Sequence, residues 1–85
     1  MIERKVKVNS LFEPSEAAML VQEASKFNSR ISLMHDEKTA NAKSIMGIIS
    51  LDIQGGQTVR IIADGEDEQA ALPVMEKFLQ TAKPA

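Results

Sequence analysis

Apolar residues recur along this chain with two different periods, and the order in which the periods alternate limits the folds available to it. Residues 1–8 alternate in the manner of a half-buried strand, and the same period of two returns at Ile31 and Leu33, at 39–42 and at 58–63. A helical period appears in between, where an apolar stripe runs through Ala17, Leu20, Val21 and Ala24 behind Pro14. A last helix is expected from Glu66 to about Gln80, with Leu72, Met75 and Leu79 on one side.

The segment 45–51 fits a strand or a helix by its apolar residues alone. Ser44 stands before it as a residue type that caps helix N-termini, and Gly55-Gly56 follows it, so a short helix is predicted. Pro73 should kink the last helix or delay its start. The resulting order is βαββαβα. It predicts an open-faced α+β sandwich, in which a four-stranded antiparallel sheet is covered on one face by three helices.

Composition excludes several classes of function. The 85 residues suggest one domain, 1–85, and the formal charge of −2 provides no basic field for nucleic acid. The chain has no cysteine and no apolar run of membrane-spanning length, and its N-terminus does not look like a signal peptide. We therefore expect a cytoplasmic protein with no cofactor and no metal site. His35, in the polar run 35–38, is expected to be solvated surface.

Three segments carry a resemblance to the HPr family of the bacterial sugar phosphotransferase system. They are residues 21–27 (VQEASKF), residues 41–47 (NAKSIMG), and residues 65–68 (GEDE) with Ala71-Leu72. The middle segment is the most specific of the three. The similarity runs over nearly the whole chain and implies the fold described above.

The family's phosphate-accepting histidine has no counterpart in this chain. Alignment without a gap back from residues 21–22 places Glu13 at the histidine, Ser15 at the family's arginine and Glu16 at its proline. The two glutamates would repel an incoming phosphate, so carrier activity and any catalytic role are expected to be lost. Glu13 either imitates a phosphorylated histidine or, with Glu16, simply suits the positive end of a helix.

The resemblance assigns a second phosphorylation site to Ser44, which matches the serine that HPr kinase/phosphorylase modifies in Gram-positive relatives. The alternative is a plain helix cap. The family's partner-docking patch matches Ile45, Met46 and Ile49, although a helix buried more deeply would hide them.

The chain is closest in character to the family's catabolite-repression branch, which also lacks the histidine. The expected partners are the kinase and a LacI-type catabolite control regulator, with the protein a monomer or weak homodimer. A degenerate phosphocarrier and a plain interaction module remain as alternatives.

Overall fold

Four strands and three helices form in the order that the two periods predict. The computed structural model describes residues 1–9 and 16–81. The elements are β1 (Ile2–Lys7), α1 (Glu16–Ala24), β2 (Arg30–His35), β3 (Lys38–Asn41), α2 (Ile45–Ser50), β4 (Thr58–Asp64) and α3 (Glu68–Gln80).

The strands make one antiparallel sheet in the order β1-β4-β2-β3, so β4 and β2 are central and β1 and β3 are edges. Alternate residues of each strand face the helices, as the period of two requires. Val6, Val59, Ile61 and Leu33 are among these buried residues, and Leu20, Ile48, Met75 and Leu79 meet them from the helices. The predicted open-faced α+β sandwich is confirmed.

The last helix begins at Glu68, two residues later than predicted, because the Asp67 side chain is hydrogen-bonded to the segment before β2. Its carboxylate accepts hydrogen bonds from the backbone N–H groups of Asn28 and Ser29, each at 2.8 Å, and from the Ser29 hydroxyl. These bonds, led by the one from the hydroxyl, hold the pKa of Asp67 below its ordinary value. Pro73 lies inside α3 on its exposed side.

The prediction that His35 is solvated surface is wrong. Its residue is only 7% exposed, at the end of β2. Its Nδ1 lies 2.9 Å from the carbonyl oxygen of Leu51, which follows α2. Since a carbonyl only accepts, the imidazole donates from Nδ1 and joins the β2–β3 hairpin to the end of α2.

Among the described residues, no helix is long and apolar enough to cross a membrane. Nor does any group of three or more His, Cys, Asp or Glu side chains in residues 1–9 and 16–81 have an arrangement suited to a metal ion.

Candidate functional site

Ser44 lies where β3 ends and α2 begins, and it caps the helix. Its backbone is extended (φ −116°, ψ 115°), and its Oγ accepts a hydrogen bond from the N–H of Gly47 at 3.1 Å. Its carbonyl accepts the first helical bond, from the N–H of Ile48 at 3.0 Å. The residue is half-buried, and its Oγ has the Gly47 N–H as a fixed donor.

The turn before Ser44 is held by its own side chains. The Asn41 carboxamide oxygen accepts from the N–H of Lys43 at 2.8 Å, and the Asn41 carbonyl accepts from the N–H of Ser44 at 3.0 Å. The Lys43 ammonium donates to the Phe27 carbonyl at 2.7 Å, in the chain that follows α1. These bonds fix the direction in which Ser44 enters α2.

Gly47 allows α2 to approach β3 closely. A Cβ at this position would lie 3.3 Å from the Cβ of Ala40 and 3.4 Å from the Ser44 Oγ. The contact with Ala40 is tighter than nine in ten Cβ contacts in proteins, so a side chain at position 47 would require α2 and β3 to shift apart by a few tenths of an ångström. The glycine of the segment 41–47 therefore has a structural role beside the serine.

An apolar surface follows Ser44 on α2. Ile45 is 45% exposed, Met46 79% and Ile49 54%, whereas Ile48 of the same helix is 2% exposed. The helix has a buried side, which continues into Leu51, and an exposed apolar side next to the capping serine. We call Ile45, Met46 and Ile49 the α2 patch. Adjacent exposed apolar residues of this kind are typical of a contact surface.

The structure places Ser44 and the α2 patch side by side at the start of α2, and their roles in phosphorylation and docking stay predictions. Glu13 and Ser15 lie outside the described residues. Glu16 is described, and its carboxylate lies in the first turn of α1.

One link to this site was missed. The bond from His35 to Leu51 fixes the far end of α2. The alternation of β2 indicates this contact, because His35 stands two residues after Leu33 and therefore faces the helices.

The fold and the site together define a class of small βαββαβα proteins. In this class a four-stranded antiparallel sheet lies under three helices, and a serine caps the second helix beside an apolar patch. Residues 3–81 match the family described as "PTS HPr component phosphorylation site". The chain therefore belongs to the HPr family of the phosphotransferase system.

Individual relatives agree with this assignment. The HPr-like protein Crh of Bacillus subtilis is 44% identical over 82 residues, which cover 94% of this chain and 96% of the relative. The crystal structure of HPr from Bacillus anthracis superposes with a TM-score of 0.86 at 40% identity, over 93% of this chain and 96% of that one. A crystal structure of Bacillus subtilis Crh, described as a dimer with a swapped domain, superposes with a TM-score of 0.76 at 40% identity, over 98% and 100% of the two chains.

Proposed function

We propose that this protein is a cytoplasmic regulatory member of the HPr family that accepts a phosphoryl group on Ser44 and binds protein partners through the α2 patch. The observation that carries the proposal is the position of a half-buried serine at the start of α2, directly beside three exposed apolar side chains. A modification at Ser44 changes the charge at the edge of the patch without reaching into the core.

The chemistry at Ser44 suits a kinase substrate. The hydroxyl attacks the γ-phosphorus of ATP, its proton passes to a base of the kinase, and ADP leaves. The product carries a charge of about −1.5 to −2 and lies next to the N–H groups at the start of α2, whose dipole favours an anion. Family resemblance makes HPr kinase/phosphorylase the enzyme that performs this step.

A carrier role through histidine is disfavoured by the one histidine that the chain has. His35 is buried, and its Nδ1–H is bonded to the Leu51 carbonyl. Its Nε2 lies 4.0 Å from a carboxylate oxygen of Asp36, which would repel a phosphate. A phosphoryl donor protein needs an exposed imidazole nitrogen, so we propose that the family's carrier reaction is absent here.

The kinase reaction is the direct test. The full chain is incubated with HPr kinase/phosphorylase, ATP and Mg²⁺ and then weighed by mass spectrometry. We expect the mass of one phosphate to be added to the wild type and to Ser50→Ala, and none to Ser44→Ala. Ser50 is a matched control because it is a second serine on the same helix, and it is exposed. Absence of phosphate on the wild type, or its persistence on Ser44→Ala, contradicts the proposal.

A separate incubation with enzyme I and phosphoenolpyruvate tests the carrier reaction. We expect no acid-labile phosphate on this protein, with HPr as the positive control. Labelling of His35 would overturn the proposed loss.

Partner docking is tested with the phosphorylated protein and a LacI-type catabolite control regulator. We expect Met46→Ser with Ile49→Ser to weaken binding, while the free energy of unfolding changes little because both side chains are exposed. Ile45→Ser should act in the same direction. Equal binding by the double variant would remove the α2 patch from the proposal.

We also propose a minor dimer in equilibrium with the monomer. Crh of Bacillus subtilis is described as a dimer with a swapped domain, and among the described strands β1 is an edge that pairs with β4. Exchange of β1 between two chains would keep the same pairing. Light scattering across protein concentrations should show a mass that rises from one chain toward two, and a constant monomer mass would exclude it.

A further inference from the structure

The face of the sheet turned away from the helices carries side chains that the proposed function does not use. On β1, Val6 is buried toward the helices and Arg4 bonds to Glu76 of α3 at 2.6 Å. Because side chains alternate along a strand, Lys5 and Lys7 point to the opposite face. By the same alternation, Arg60 of β4 points there as well, since its neighbours Val59 and Ile61 are buried.

Two of these cations are placed directly opposite each other. Lys5 pairs in register with Arg60, and the next residue in that row is Met34 on β2. Lys7 lies one pleat further along β1, about 6.7 Å from Lys5. A shallow depression lies over Lys5, Arg60 and Met34 and reaches Thr58 and Asp36, whereas Lys7 is outside its lining. We call Lys5, Lys7 and Arg60 the basic row.

The positive charge of the basic row is only partly balanced. The Arg60 Nε lies 3.7 Å from a carboxylate oxygen of Glu3. Neither Lys5 nor Lys7 has an ion pair with any other part of the chain that the structure describes. Like charges directly opposite each other on neighbouring strands destabilise a sheet. The pair therefore opposes folding and needs another explanation.

Protection of an edge strand explains the lysines but not the whole row. Lysine on an edge strand discourages pairing with a second sheet, and β1 is an edge. Arg60, however, is on β4, which has a hydrogen-bonded strand on each side. A cation there protects no edge, so the row extends across the sheet for a different reason.

We propose that the basic row is a docking surface for an acidic, extended segment of a protein partner. Carboxylates at every second residue of an extended segment lie about 6.7 Å apart on one side, which matches the spacing of Lys5 and Lys7. The segment would lie along β1, on the side of the depression away from Asp36. This surface is on the side of the sheet opposite the α2 patch, so one molecule can hold two partners.

Charge and size favour a short acidic segment over a long polyanion. The chain as a whole carries a formal charge of −2, and the row offers three cations. A duplex or an anionic membrane would meet the acidic remainder of the molecule and be repelled, whereas a short segment contacts the row alone.

The test is an NMR titration of the full chain, ¹⁵N-labelled, with a blocked ten-residue peptide of alternating aspartate and serine. We expect shifts of the amide signals in residues 3–7, 58–62 and 32–34, and their loss at high salt. Lys5→Gln with Arg60→Gln should weaken binding about fivefold or more. The matched control is Lys26→Gln with Lys77→Gln, which removes the same charge from exposed positions in the turn after α1 and on α3, and it should bind as the wild type does.

The remaining outcomes also decide the proposal. The Lys5→Gln/Arg60→Gln variant should unfold at about the same temperature as the wild type, because it removes the repulsion between Lys5 and Arg60 together with the exposed ion pair between Arg60 and Glu3. A marked loss of stability would show that the row is structural and would overturn the proposal. Shifts centred on α2, equal weakening by the control variant, or no shifts at all would each overturn it. If inorganic phosphate, a DNA duplex or anionic vesicles cause the same shifts at a lower concentration than the peptide does, that anion, and not an acidic protein segment, is the ligand of the basic row.

Discussion

Replacing Ser44 by alanine and by aspartate measures how much the serine contributes as a helix cap, apart from any phosphorylation. Alanine removes the Oγ that accepts the N–H of Gly47, while the bond from the Ile48 N–H to the Ser44 carbonyl stays. Aspartate supplies a carboxylate oxygen at the same place and is as good a capping residue as serine. Comparison of the two variants isolates the hydrogen bond.

The expected loss for Ser44→Ala is about 1 kcal/mol. Loss of a serine cap costs about 0.5–2 kcal/mol, and the freed N–H belongs to Gly47, which is half-buried, so water can replace part of the bond. For a domain of this size 1 kcal/mol lowers Tm by about 4–8 °C. Ser44→Asp should stay within about 0.5 kcal/mol of the wild type, helped by the helix dipole.

Urea unfolding followed by circular dichroism gives the three free energies, with Ser50→Ala as control. The exposed Ser50 hydroxyl donates to the Gly47 carbonyl at 2.7 Å, a bond within the helix that adds little stability, so its removal should change the free energy by less than about 0.5 kcal/mol. The reasoning is refuted if Ser44→Ala is as stable as the wild type, or if Ser44→Asp loses as much as Ser44→Ala.

Three further substitutions test the contacts around the site and the core. Asp67→Asn should have a lower Tm than the wild type near neutral pH, and the difference in Tm should narrow as pH falls below about 4. A carboxyl group whose pKa is lowered by folding stabilises the fold at pH above its ordinary pKa of 3.8, and this contribution is lost as pH falls through the pKa of the folded state. A difference in Tm that does not depend on pH would contradict the assignment. Gly65→Ala should cost about 2 kcal/mol or more in urea, because its φ is +157° and a Cβ would lie 2.7 Å from the Cα of Ser29; a neutral result would contradict the packing. His35→Ala should cost about 1–3 kcal/mol by removing the bond to Leu51, and amide exchange should rise in α2 if that bond holds the helix end.

The order of the elements was predictable because it depends on local periodicity. Alternation at 1–8, 31–33 and 58–63 and the stripe from Ala17 to Ala24 are properties of neighbouring residues, and each became the element expected. Ser44 was recognised as a cap for the same reason, since its partner, Gly47, is three residues away.

Contacts between distant segments were not predictable in this way. Asp67 was expected within the last helix, but it bonds to Asn28 and Ser29, 39 and 38 residues away, and the helix starts after it. The polar residues that follow His35 indicate a surface turn, whereas its own position is the last of β2. Its bond to Leu51, 16 residues away, required the packing of α2 against the hairpin.

The proposed sites lie on opposite sides of the sheet, and this separation has a physical consequence. Ser44 and the α2 patch belong to the helix layer, whereas Lys5 and Arg60 point away from it with β1 and β4 between. A phosphate on Ser44 repels or attracts charges within about 8–10 Å of it at ordinary salt, so it acts on a partner held at the α2 patch. An acidic segment along β1 lies across the thickness of the sheet from that charge. Under the two proposals, phosphorylation of Ser44 would change the contact at the α2 patch while the contact along β1 is kept.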